Sequence, residues 1–286
     1  MLPTIISEFF AAHQDLLWMI VVATDLSLTL ILYRVFGKMG LYAIVVLNIM
    51  LSNIQGPKLT IIFGLETSLG LILYAGIYFA TDLLSEKYGQ REANRSVMIG
   101  FATSIVVVVM MSFSLMFAPS AEREMAVSTH NALTTLFNFT PHFVFGSLFV
   151  YLVSQNLDVW IFHYIKNKTQ GRHLWLRNNI STLTSQAVDT VLYTLIVWWP
   201  LFLDTQPHLS NMEALQLAFN LALAKYFFKV LIALIDTPFI YLAREWDVSK
   251  RDWHFEFQPD YKTTHNNGQK PLTSDEEKKE KAATKH

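Results

Sequence analysis

The residues able to do chemistry gather in five apolar stretches. In NNISTLTSQAVDTVLYTLIVWWPLFL (178–203), Thr182, Gln186, Asp189 and Tyr193 follow at spacings of four, three and four, which places them on one helical face. Lys225, Lys229, Ile232 and Asp236 repeat that spacing in the last stretch. Asp82 and Glu86 stand one turn apart in LILYAGIYFATDLLSEKYG. Gln155 and Asp158 share a face in SLFVYLVSQNLDVWIFHYIK, with Tyr151 one turn above. Asn48, Ser52 and Gln55 form a further polar stripe. Carboxylates accept hydrogen bonds, and a glutamine both donates and accepts, which suits the edge of a flat heterocycle. A carboxylate at bilayer depth costs about 2.5–3.5 kcal/mol on insertion scales, so it faces a partner or a watery cavity. Lys229 lies too deep to reach either surface by extending its stem and needs an acid; Asp189, at similar depth, is the expected one.

Each group also has a structural reading. Glu86, near the membrane surface, reads best as an anchor for the inner loops through Arg177 or backbone N–H groups; for Asp82 a functional and a structural use stand side by side. Asp158 is expected to pair with Arg177, and Asp236 with Asp82 or Arg177. His142 reads as an interfacial group. Structural glue between helices usually needs one or two Ser, Thr or Asn contacts. Acids, amides and a lysine together argue for a ligand cavity.

The elements that position these groups are membrane helices. Of 286 residues, 52% are hydrophobic and 16% charged, the mean hydropathy is +0.31, and several uncharged runs exceed about 18 residues. Seven spans are expected, at 16–36, 41–55, 67–86, 96–117, 139–163, 179–203 and 214–242, each a helix because lipid offers no partner for open backbone groups. Gly56 and Pro57 end the second early, and 58–64 reads as a re-entrant or interfacial segment. Arg34 and Lys38, then Lys87, Arg91 and Arg95, then Lys166, Lys168, Arg172 and Arg177, then Arg244, Lys250 and Arg251 occupy alternate loops; the others hold Lys58, Arg123 or none. Seven spans put every rich loop on one side, with the N-terminus outside and the C-terminus cytoplasmic. Residues 245–286 read as a disordered tail. No cysteine is present, which excludes disulfides and thiolate chemistry. The N-terminus lacks the basic region and cleavage site of a signal peptide.

The chain resembles the queuosine precursor transporter family, bacterial inner-membrane proteins once grouped as putative vitamin-uptake carriers. TDLLSEKYG at 81–89, SLFVYLVSQNLD at 147–158, LWLRNNIST at 174–182, SQAVDT at 185–190 and YFFKV at 226–230 carry the resemblance. It covers roughly 45–245 and places Asp82, Gln155, Asp158, Arg177, Gln186, Asp189 and Lys229 at family motif positions. The family has an arginine after the Thr-Pro of span five, where this chain has His142. The resemblance implies uptake of 7-deazapurines such as preQ0, preQ1 or queuine for tRNA modification. It also implies an all-α polytopic fold: a six-helix core at 41–244 similar to energy-coupling-factor substrate-binding subunits, plus an extra N-terminal helix within 1–40.

For such a ligand, Asp189, Gln186 and Gln155 are the expected recognising set, with Lys229, Asn48, Tyr151, Tyr226 and Tyr193 around them. Asp82, Glu86, Asp158, Arg177 and Asp236 form an expected inner polar network. Expected partners are the small molecule and the bilayer, with no direct nucleic acid contact, no metal and no cofactor; a homo-oligomer is left open. Two other classes are weighed. A vitamin-importer subunit would need partner chains for ATP, since no Walker motif is present. An intramembrane enzyme would rest on Asp82 with Glu86, or on Asp189, and the chain has no HExxH or GxSxG. A purely structural membrane protein is separated from a transporter by uptake into vesicles.

Overall fold

The computed structural model describes residues 4–137 and 141–248, with side chains from 6–137 and 144–248. The tail from 249 onward and the side chain of His142 lie outside the described residues. Ten α-helices run α1 (Thr4–Ala12), α2 (Gln14–Phe36), α3 (Lys38–Gln55), α4 (Gly70–Lys87), α5 (Gln90–Met116), α6 (Glu124–Phe137), α7 (Pro141–Lys168), α8 (Leu174–Tyr193), α9 (Trp199–Thr205) and α10 (Asn211–Arg244), among the described residues. A π-helical turn, Thr194–Trp198, joins α8 to α9, with Pro200 in the first turn of α9.

The helices are apolar towards the outside. On α2, Trp18, Val22, Leu26, Leu30 and Tyr33 are buried at a helical period, while Ile20, Leu28, Ile31 and Val35 are exposed. Exposed aliphatic surface of this kind belongs in lipid, where it costs nothing. Six described segments are long and apolar enough to cross a membrane: α2, α3, α5, 144–168 of α7, α8 through α9, and α10. Helix α4 has the length of α3, 18 residues, but ends in Asp82, Glu86 and Lys87. It is the hub: it packs on α2, α3, α5, α7 and α10, and it is buried continuously from Gly70 to Ser85 apart from half-buried Tyr74. The molecule is an all-α polytopic membrane protein with one small β element.

That element is a β-hairpin, and it holds the segment 58–64 expected to be re-entrant or interfacial. β1 (Leu59–Ile62) and β2 (Leu65–Ser68) pair antiparallel, Leu59 opposite Ser68 and Ile62 opposite Leu65. The two-residue tip, Phe63 and Gly64, has φ of 49° and 75°, positive at both positions as tight hairpins require. Phe63 stacks on Phe228 of α10 and meets Trp18 of α2 edge-on, and its N–H donates to Asp15 at 2.7 Å. Two short helices, α1 and α6, are additions to the expected spans. The first residues of the expected disordered tail, 245–248, instead dock on the bundle, because their apolar side chains find partners there: Trp246 stacks on Tyr33 beneath Arg34, and Val248 is buried.

Helices α2, α3 and α4 meet at a point where only hydrogen fits. Asn48 Nδ2 donates to Asp25 Oδ1 at 3.0 Å, both side chains are buried, and a Cβ at Gly76 would overlap both Asp25 and Asn48. Gly76→Ala is expected to destabilise the protein by about 1–3 kcal/mol, as overpacking of a tight contact does. Thermal unfolding in detergent measures it, and an unchanged midpoint would contradict the close approach.

Candidate functional site

The site grows from four helices. Helix α8 carries Asp189 on its buried face, α10 carries Lys229 at the facing level, and their side chains form an ion pair at 2.5 Å. Lys229 Nζ also donates to Thr190 Oγ1 at 3.2 Å and lies 5.4 Å from the centre of the Tyr74 ring. From α4, Tyr74 Oη donates to Asp189 Oδ1 at 2.8 Å. From α7, Ser154 Oγ donates to the same oxygen at 3.1 Å. Asp189 is 3% exposed and Lys229 6%, so each charge depends on the other. Losing one member of such a pair costs about 3–5 kcal/mol.

Asp189 and Lys229 stand on the wall of a cavity of about 450 Å³, within the size range of small-molecule sites. Tyr74, Tyr151, Tyr193 and Trp198 supply its aromatic surface, and Lys225 reaches it from one turn before Lys229. Lys225 Nζ sits 3.9 Å from the centre of the Trp198 ring, a cation–π contact. The Trp198 indole N–H is buried without a partner among the described residues. Gly56, Pro57, Leu59 and Ser68 bring the hairpin base into the lining, so the cavity lies in the half of the bundle nearer the hairpin.

The opposite half is closed by polar contacts. Glu86 takes Arg177 of α8 at 2.5 Å, Lys166 of α7 at 3.2 Å and Arg244 of α10 at 3.2 Å. Arg177 is fully buried and also donates to the carbonyls of Gly171 and Arg172 at 2.9 and 3.1 Å, tying the α7–α8 connection to the bundle. Arg177 thus serves Glu86 rather than Asp158 or Asp236. Asp158 instead accepts from Ser185 Oγ at 2.9 Å, and Asp236 from Asn178 Nδ2 at 3.1 Å. Asp82 accepts from Thr182 Oγ1 at 2.9 Å.

Of the residues singled out for ligand contact, Asp189, Lys229, Tyr151 and Tyr193 line the cavity. Gln155 and Gln186 do not. Gln155 is fully buried, faces Thr81 Oγ1 at 3.4 Å and leaves its Nε2 without a partner. Gln186 is 1% exposed with its Oε1 unpartnered. Asn48 is turned to Asp25. Tyr226 donates to the Leu183 carbonyl at 3.2 Å and borders a smaller groove with Phe219 and Thr190. Tyr151 uses its hydroxyl on the Val97 carbonyl at 3.2 Å, leaving its ring for the cavity. Tyr74 and Trp198, which line the cavity, and Ser154, which is buried and donates to Asp189, are residues the spacing arguments pass over. Tyr74, Tyr78 and Asp82 recur every four residues, and Ser154 lies between Tyr151 and Asp158 on their face; both signals were available.

The comparisons agree with this architecture. A family model described as putative vitamin uptake transporter matches residues 68–243. A "Probable queuosine precursor transporter" of Bacillus subtilis (strain 168) is 33% identical over 229 residues, 80% of this chain and 93% of the relative. A "Queuosine precursor transporter" of Escherichia coli (strain K12) is 27% identical over 174 residues, 61% of this chain and 71% of the relative. No solved structure matches the chain. A multi-helix membrane body, an interior ligand-sized cavity and matches across its length converge: the chain belongs to the putative vitamin uptake transporter family.

Proposed function

We propose that the chain imports queuosine precursors, 7-deazapurines such as preQ0 and preQ1, across the bacterial inner membrane, entering from the hairpin side and leaving at the basic end. The observation that carries the reading is the Asp189–Lys229 pair on the wall of an aromatic cavity inside the bundle. The names of both relatives support the ligand class. A deazaguanine ring offers donors at N1 and its exocyclic amine and an acceptor at O6. A carboxylate has about four lone-pair positions. Three contacts occupy Asp189, from Tyr74, Ser154 and Lys229, so a second ring donor must displace one of them. Lys229 is the natural one to move, because its ammonium can then turn to the ligand's acceptor. The unpartnered Trp198 N–H offers a further donor, and the tyrosine rings offer flat walls.

The clustering of Arg34, Lys87, Lys166, Arg177 and Arg244 at the end opposite the hairpin supports a cytoplasmic assignment for that end. With seven crossings the N-terminus lies outside. The transporter descriptions of the family model and of both relatives favour a transport role over a catalytic one. The test is genetic. Cells unable to make the precursors, supplied with preQ0 or preQ1, should contain queuosine in their tRNA only when this gene is expressed. Equal queuosine with and without it would refute the reading.

A further inference from the structure

Between the cavity and the Glu86 cluster, α4 and α7 set two carboxyl groups against each other. Asp82 and Asp158 are both 0% exposed and reach the same turn of α8, where Ser185 Oγ also donates to the Thr182 carbonyl at 3.1 Å. One oxygen of each is served by a hydroxyl of α8, from Thr182 and Ser185. The other oxygens, Asp82 Oδ1 and Asp158 Oδ2, have no donor among the described residues. Two ionised carboxylates cannot share a dry site without a cation between them.

The surrounding charges do not supply one. On α8, Arg177 is held by Glu86 and two carbonyls. Lys166 of α7 and Arg244 of α10 also serve Glu86. Lys229 of α10 serves Asp189. Asp236 of α10 is another acid, held by Asn178 of α8. His163 of α7 sits with Lys166, Glu86 and Arg177. From α2, Asp25 is held by Asn48 of α3; from α5, Glu92 is held by Lys38 and Arg95 and accepts from Tyr42 of α3. No described His, Asp and Glu cluster has the form of a metal site. A proton on one of the two carboxyls removes their repulsion.

A second fully buried group points the same way. Tyr78, one turn before Asp82, has a hydroxyl without a partner among the described residues and its ring meets the cavity's Tyr74 edge-on.

We propose that Asp82 and Asp158 hold one proton between them and that this proton travels with the ligand, making the chain a proton-coupled importer. The proton enters from the outer water through the cavity, binds one carboxyl oxygen as an O–H, and leaves to the inner water when the opposite end opens. No other bond changes. The inference rests on the uptake reading of the cavity.

The test uses purified full-length protein in vesicles with labelled preQ0. When the outside is made acidic, the label should accumulate, about tenfold per pH unit for one proton per ligand. A protonophore should abolish this accumulation, and a dye inside the vesicles should report acidification when preQ0 is added. Asp82→Asn and Asp158→Asn should lose acid-driven accumulation, while exchange of labelled for unlabelled preQ0, which needs no net proton movement, continues. If both variants are inactive, the dye signal of the unsubstituted protein decides alone. Exchange without acid-driven accumulation, or accumulation driven by sodium at matched pH, would overturn the proton coupling and leave the uptake reading standing. Absence of exchange in the unsubstituted protein would remove both.

Discussion

Asp189→Asn is expected to abolish uptake of labelled preQ0. The asparagine keeps the shape of the side chain but replaces one acceptor oxygen by a donor and removes the charge. A hydrogen bond to a charged group contributes about 1.5–3 kcal/mol. One ring donor then loses its acceptor and the other loses the charge, which lowers ligand affinity by roughly 10- to 150-fold. The substitution also strands Lys229, 6% exposed, against Tyr74 and Thr190, and an unpaired buried charge is itself destabilising. The control is therefore the double variant Asp189→Asn/Lys229→Met, which removes the stranded ammonium. It should unfold at a higher temperature than Asp189→Asn alone and still show no uptake. Uptake at the unsubstituted rate by either variant would remove Asp189 from ligand recognition.

The largest stability effect should come from Arg177. Its side chain is fully buried, and it joins Glu86 on α4 to the backbone of the α7–α8 connection. Arg177→Met keeps much of the volume and loses three hydrogen bonds. It leaves Glu86 with Lys166 and Arg244, both partly exposed. Removing one partner from a buried ionic network costs about 3–5 kcal/mol, a large share of a typical net stability. The expected result is a sharp fall in monodisperse protein and in thermal midpoint, with a smaller fall for Arg244→Met. Equal midpoints for the unsubstituted protein and Arg177→Met would show that Glu86 is held by its outer partners alone.

How much of this could be read from residues alone depended on the kind of question asked. Six of the seven expected spans match segments long and apolar enough to cross, because lipid demands long apolar helices, while 67–86 corresponds to α4, whose charged end keeps it out of that set; the Lys229–Asp189 pairing follows from depth, since neither group can stay charged alone there. The glutamines show the limit. Periodicity assigns a polar face to a helix but not the neighbour each turn of that face meets. One turn separates Asp189, on the cavity wall, from Gln186, buried off it. Asp158 and Arg177 were matched by sign, but Glu86 reaches the guanidinium and Ser185 reaches Asp158. Asp25 was overlooked within an otherwise apolar span, although a lone intramembrane acid always signals a partner. The hairpin stayed hidden because four-residue strands carry too little alternation to separate from a short apolar plug.

An experimental structure with bound preQ0 tests the central claim most directly. The account predicts ligand density in the cavity between Asp189 and Trp198, with the ring's donor edge on the Asp189 carboxylate and Lys229 moved from its present contact. Density in the groove beside Tyr226 and Phe219, with the Asp189–Lys229 pair undisturbed, would contradict it.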